Sequence, residues 1–235
     1  KPTTDAHRRK VSPFNQDINM EKQILYRKTD KSYAATLPRY SYDGPITVVD
    51  NAGQVADAVE ALRKQGDIFG LDTETRPSFR RGEAHLVALL QVASREACYL
   101  FRLNKTGLPQ ELADWLADPS VLKVGLALDN DIPSLRRRRD FTPHGFLDLQ
   151  KLVSELGIED MALRKLYANV FGRCISKSAK LSNWEAHELD TSQQQYAATD
   201  AVTCLHLYNR LTELRRTGNY ELREFISAEG ATDHP

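Results

Sequence analysis

Asp72 and Glu74 stand two residues apart in Ile68-Phe69-Gly70-Leu71-Asp72-Thr73-Glu74, a short apolar run with the composition of a strand. Strand alternation puts both carboxylates on one face. Neighbouring acids repel and burial penalises each charge, so such a pair usually coordinates a cation or shares a proton. The plain alternative is an exposed strand end with two solvated acids. Tyr196 and Asp200 lie four apart in Gln195-Tyr196-Ala197-Ala198-Thr199-Asp200, which on a helix stacks phenol and carboxylate about one turn apart. The apolar stripe of that helix is expected to be Ala198, Ala201, Val202, Leu205 and Tyr208, with Asp200 beside it. A rim acid with a packed tyrosine is the ordinary account of this pair. Asp131 follows Val124-Gly125-Leu126-Ala127, where a strand runs into a helix, and ligands in open α/β sheets gather at such strand ends. Asp129 and Asp131 also suit a helix cap or first turn, the default for aspartate there.

The elements that must position these groups follow from periodicity and turn chemistry. Residues 1–45 carry His7, Arg8, Arg9, Lys10, Lys22, Arg27, Lys28 and Lys31 among scattered prolines, without sustained periodicity, and are expected to be an extended arm. Residues 46–49 predict a strand, and Asp50 or Asn51 can cap a helix through Lys64 with Val55, Ala58, Val59 and Leu62 on its apolar side. Strands at 68–74, 86–93 and 97–103 make a meander. A helix at 110–117, a strand at 122–127, a helix from Asn130 and a strand at 146–149 then alternate. Beyond them the chain reads as helical, ending in a long helix from Ser192 to Arg215 and a loose tail from Thr217. The fold class is α/β: a mixed sheet, antiparallel first and parallel later, flanked by helices.

Composition narrows the function classes. The 235 residues suit one sizeable domain with tails, and 41% hydrophobic with 27% charged residues is ordinary for a globular chain. The formal net charge is zero, so a polyanionic partner must be held by local charge. Cys98, Cys174 and Cys204 are odd in number and far apart, which suits a reducing compartment, and no His/Cys cluster points to zinc. No apolar run reaches the roughly 20 residues of a membrane span. An intracellular, cytoplasmic setting without membrane attachment is expected.

Four acids in the order Asp72, Glu74, Asp131, Asp200, with Tyr196 four before the last, form a far rarer arrangement than any pair. The set resembles the DEDDy 3′-to-5′ exonucleases, which include ribonuclease D-like proteins and the Werner syndrome exonuclease domain. The likeness extends to Phe69-Gly70-Leu71-Asp72-Thr73-Glu74, Ala88-Leu89-Leu90-Gln91-Val92-Ala93, Lys123-Val124-Gly125, Leu147-Asp148-Leu149 and Leu181-Ser182-Asn183-Trp184, and covers roughly residues 45–215. Gap-free alignment from Gly125 to Leu135 puts Asp131, not Asp129, on the catalytic position. The related group with a histidine five before the last acid is disfavoured, because that position is Gln195. The family's usual extra helical nucleic-acid-binding domain is not expected in the residues after Arg215, which puts behaviour dependent on it in doubt.

The resemblance implies a ribonuclease H-like fold, an exonuclease domain at residues 46–215, and hydrolysis at the 3′ end of DNA or RNA by two hard cations, Mg²⁺ or Mn²⁺. Asp72 would bridge both ions, Glu74 and Asp200 would hold the ion that activates water, Asp131 would anchor the second, and Tyr196 would orient the water. Lys177 and Lys180 before the last helix, Arg136 in the run Arg136 to Arg139, and Arg80 beside Arg81 are candidate phosphate contacts. A charge run is more often a solvated face. Trp184 fits a core position beneath the last helix better than a base-stacking one. Two other classes stay open: a catalytically silent nucleic-acid-binding or scaffold protein on this fold, and an unrelated phosphatase with an aspartyl nucleophile in Asp72-Thr73-Glu74-Thr75. The meander directly after that strand fits the phosphatase poorly.

Overall fold

The computed structural model describes residues 21–80, 82–176 and 179–225. The basic run from His7 to Lys10, Arg81 and Lys177 lie outside the described residues. The chain begins with β1 (Gln23–Tyr26), α1 (Lys31–Thr36), β2 (Arg39–Tyr40), β3 (Ile46–Val49) and α2 (Val55–Gln65). The meander β4 (Ile68–Glu74), β5 (Leu89–Ala93) and β6 (Cys98–Phe101) follows, then α3 (Leu103–Thr106) and α4 (Gln110–Ala117). Next come β7 (Leu122–Gly125), α5 (Leu128–Arg136), β8 (Phe146–Asp148), α6 (Leu149–Glu155), α7 (Leu163–Phe171), β9 (Cys174–Ile175), α8 (Thr191–Thr217) and β10 (Tyr220–Arg223).

Six strands form one mixed sheet in the order β3-β6-β5-β4-β7-β8. The β4–β5 and β5–β6 pairs are antiparallel, whereas β7 and β8 continue parallel to β4, as the sequence pattern predicts. β3 returns to the far edge, parallel to β6. Every residue of β5 and β6 is buried, which is why these strands read as continuous apolar runs. One face of the sheet packs Phe69, Leu71 and Phe101 against α2, α4 and α5 through Leu62, Trp115, Leu128 and Leu135. The other packs Leu89, Ala93 and Leu100 against Ala197, Ala198 and Ala201 of α8, with Trp184 fully buried beside them.

α8 starts at a capping box. The Asp190 carboxylate accepts the Gln193 N–H at 2.8 Å, and the Gln193 side chain accepts the Asp190 N–H at 3.1 Å. The helix differs from the one-sided stripe expected: its residues from Ala197 to Leu205 are all buried, because α6 and α7 cover the side away from the sheet through Val153, Leu166, Leu207 and Leu211. Asp200 is therefore a buried residue, 8% exposed, and not a rim acid.

The extended arm and loose tail are corrected where they meet the core. β1 pairs parallel with β10, from Gln23 opposite Tyr220 to Tyr26 opposite Arg223. Leu25 is fully buried among the residues of α6, α7 and α8. The Asn169 side chain continues this sheet, accepting from Tyr26 N–H at 2.8 Å and donating to Tyr26 O at 2.6 Å. Four-residue strands whose partners lie almost a chain length away leave no local periodicity to read. Among the described residues, no helix is long and apolar enough to cross a membrane.

Gly70 sets the distance between β4 and α8. A Cβ there would run into the Ala201 carbonyl oxygen and crowd Leu205. Gly70→Ala should push α8 off the sheet and cost about 2–3 kcal/mol or more, measured by urea unfolding, because an extra carbon has nowhere to go in a packed core. A variant of wild-type stability would show that the helix can move freely.

Candidate active site

The pleat of β4 aims Gly70, Asp72 and Glu74 at α8, with Gln91 and Leu89 of β5 opposite the two acids. Because Gly70 lets the helix come close, Asp200, one residue before Ala201, arrives beside them. Oxygens of Asp72, Glu74 and Asp200 all lie within 4.8 Å of one another. Tyr196 stands one turn earlier on α8, close enough for its hydroxyl to favour the ionised form of Asp200, and its ring packs 6.0 Å from that of Trp184.

Asp131 comes from α5 on the other side of the sheet and stands outside this trio. Its carboxylate accepts a hydrogen bond from the Thr73 hydroxyl, and its charge still reaches Asp72 and Glu74. Asp129 is exposed, so of the two acids in the first turn of α5 it is Asp131 that turns toward β4. The turn into α5 is unusual: Ala127 has φ 60°, the left-handed region that alanine rarely adopts. Asp148 holds it there, accepting from Ala127 N–H at 3.2 Å and Leu128 N–H at 2.9 Å while capping α6 through Gln150 N–H at 2.8 Å. An aspartate between a strand and a helix was the available signal for that role.

Burial and mutual repulsion dominate the electrostatics. Asp72 binds its proton far more tightly than an ordinary carboxyl, first through burial and then through Asp200, Glu74 and Asp131. Burial, with Asp200 and Asp131, pushes Glu74 up to about 8. Burial also raises Asp200 and Asp131, although the Tyr196 and Thr73 hydroxyls favour their charged forms. An all-oxygen donor set whose charges the protein leaves largely uncompensated fits a hard divalent cation.

Two cations ease this repulsion. Lys180, a candidate phosphate contact in the sequence, favours the ionised forms of Glu74 and Asp200, and Arg164 does so for Asp200. Arg164 was missed; its guanidinium is fixed by Ile175 O at 2.6 Å and Cys174 Sγ at 3.2 Å. The arginine run mostly fastens α5. Arg138 donates to Val87 O at 2.8 Å, Arg139 to Leu108 O at 2.6 Å, and Arg136 is exposed and paired with Asp140 at 2.6 Å. Arg80 is exposed in the loop after β4.

Residues 46–215 match the family profile described as 3′-5′ exonuclease. The chain belongs to the 3′-5′ exonuclease family. The chain is 32% identical over 237 residues to a 3′-5′ exonuclease of Arabidopsis thaliana, covering 90% of this chain and 82% of that protein. It is 30% identical over 190 residues to the bifunctional 3′-5′ exonuclease/ATP-dependent helicase WRN of Mus musculus, covering 77% of this chain but only 14% of the mouse protein. Among solved structures, Escherichia coli RNase D, described as an exoribonuclease involved in structured RNA processing, superposes with a TM-score of 0.65 at 24% identity, over 74% of this chain and 46% of that one. The fold is the ribonuclease H-like one that the resemblance implied.

Without metal, the raised Glu74 carboxyl makes folding pH-dependent. The folded chain holds this proton when the unfolded chain has released it, so stability falls as the pH climbs from about 4.5 through about 8. Glu74→Gln should therefore melt above wild type at pH 8.5 in a chelator, with the gap closing by pH 4. Equal melting at pH 8.5 would contradict the repulsion. Asp148→Ala frees three backbone N–H groups and should cost about 2 kcal/mol in a urea titration, with a loss of activity that Asp148→Asn partly restores.

Proposed function

We propose that the chain is an active, metal-dependent exonuclease that removes nucleotides one at a time from the 3′ end of a DNA or RNA strand, with residues 46–215 as its catalytic unit. The observation that carries this is the convergence of Asp72, Glu74 and Asp200 within 4.8 Å, with Tyr196 one turn from Asp200 on α8 and Asp131 of α5 held by Thr73 of β4. A silent scaffold would have no use for so repulsive a cluster. Asp72, Glu74 and Asp200 would hold Mg²⁺ or Mn²⁺, with Asp131 completing the acidic set. When bound, two such ions supply a nucleophile from water near neutral pH and offset charge on the leaving oxygen.

The remaining work is positioning. Burial and the neighbouring acids push Tyr196 ionisation far up, so its phenol stays a neutral donor able to orient the attacking water. Thr73 holds the Asp131 carboxylate in place. Lys180 and Arg164 set positive charge beside the acids, where the scissile phosphate must come. Arg80 and Arg136 are candidate phosphate contacts farther out, and Lys177 is a candidate from the sequence alone. These groups address the phosphodiester, which DNA and RNA share, and a fold neighbour described as an exoribonuclease supports RNA among the substrates.

With Mg²⁺ or Mn²⁺, a 5′-labelled single strand should shorten in a ladder from its 3′ end. Asp72→Ala or Asp200→Ala should lower the rate at least about 10³-fold, the consequence of losing several kcal/mol of charge stabilisation. Tyr196→Phe should lower it about 10²-fold, in line with loss of a positioned proton donor. Undiminished cleavage by both acid variants would end the assignment.

A further inference from the structure

Residues 39–42 precede the part of the chain that matches the family profile, yet two of them, Tyr40 and Ser41, wall a cavity beside Tyr196. The cavity, about 110 Å³, is lined by Tyr40 and Ser41 from this segment and by Ser176, Ser192, Gln195, Tyr196 and Thr199. Ser176 and Tyr196 also line the adjoining cleft that contains Asp200, Lys180 and Arg164. The two spaces therefore adjoin at Ser176 and Tyr196, which places the segment next to the cleft that holds Asp200.

The wall is firmly built. β2 pairs parallel with β9, Arg39 opposite Cys174 and Tyr40 opposite Ile175, and Cys174 N–H donates to Pro38 O at 2.9 Å. Tyr42 N–H donates to Thr199 Oγ1 at 2.9 Å, which ties the segment to α8 less than a turn from Tyr196. The Tyr40 ring packs on Tyr167 at 5.2 Å and His206 at 5.9 Å. Ser41 is held between two anchored residues and is exposed to the cavity side.

The lining offers hydroxyls and an amide but no carboxylate. Such neutral side chains supply many contacts to phosphate oxygens and sugars in nucleic-acid complexes. The charges around it are mixed but favourable at the cleft: Lys180 and Arg164 at the acid cluster and Arg173 near the Tyr40 hydroxyl, against Asp43 near the same hydroxyl. A strand whose end enters a pocket of four acids must lie along surface that does not repel it, and a chain of zero net charge has to provide that surface locally.

We infer that residues 39–42 are part of the substrate cleft, and that the cavity beside Tyr196 takes the sugar–phosphate backbone of a single strand whose 3′ end lies at the acids. This rests on the exonuclease function proposed above. It gives the segment outside the family-matched region a task in holding the strand, separate from the chemistry.

The test is equilibrium binding of a 5′-fluorescein-labelled 12-nucleotide single strand to the full chain, read by anisotropy in chelator, with thermal melting of each variant. Ser41→Glu should raise the Kd about tenfold, and Ser41→Lys should lower it and steepen the salt dependence by about one ion, both from one charge placed beside the backbone. Lys64→Gln, an equal loss of charge at the end of α2 that feeds the start of β4, should bind as wild type. If Ser41→Glu and Ser41→Lys both match wild type while Lys180→Glu weakens binding, the strand is held at the acids but not along this wall, and the inference is overturned with the nuclease function intact. If the wild-type chain neither binds the strand nor shortens it with Mn²⁺, the nuclease function itself falls and this inference with it.

Discussion

Three carboxylates held within 4.8 Å of one another repel strongly, and the fold has to supply the force that keeps them together. That force is the burial of α8 on the sheet. Ala197, Ala198 and Ala201 are small enough for the helix to lie close against Leu89, Ala93 and Leu100, and Gly70 removes the one side chain that would hold β4 away. On its outer side the same helix buries Leu207, Leu211 and Leu214 against α6 and α7. A helix enclosed on both sides cannot retreat to relieve the repulsion without exposing a large apolar area. Charge strain at the site is thus opposed by hydrophobic burial around it, and a cation would remove the strain at its source.

Much of the site was legible because its pieces have local signatures. Asp72 and Glu74 sit in one strand, Tyr196 and Asp200 in one helix, and each pair shares a face by the period of its element. The meander and the following alternation of strand and helix were legible too, since buried strands give unbroken apolar runs and their turns are short. What escaped depends on distant contacts. Pairing of β1 with β10 joins residues about 200 positions apart in short, half-exposed strands. Arg164 reads as an ordinary helical charge until β9 folds against it. The run from Arg136 to Arg139 reads as one basic surface, yet two of its members point back to carbonyls of Val87 and Leu108.

Zero net charge acquires meaning from this arrangement. The 32 acidic residues are balanced by 32 basic ones over the whole chain, but the balance fails locally in both directions. Four acids gather at the end of β4, and Lys180 and Arg164 line the same cleft as Asp200. A polyanion far from this surface meets no bulk attraction, whereas one that reaches the cleft meets local positive charge screened within about 8–10 Å at ordinary salt. Selection by short-range contact, not by long-range steering, follows from such a distribution.

The residue between the two strand acids shows how the set is completed. Alternation turns Thr73 to the face opposite Asp72 and Glu74, toward the side where Leu128 and Leu135 of α5 pack on Leu71. From there its hydroxyl reaches the Asp131 carboxylate. Asp200 approaches from one face of the sheet and Asp131 from the other, and they can share a centre only beyond the end of β4, where the strand no longer separates them. The Asp72-Thr73-Glu74 triplet therefore uses both faces of one strand: two acids turned to α8 and a hydroxyl that fixes the acid delivered by α5. Asp148 extends the same support one layer out, since it holds the left-handed Ala127 turn from which α5 sets off. The spacing of two between the acids thus does more than place them side by side; it leaves room for the residue that ties the far helix to the site.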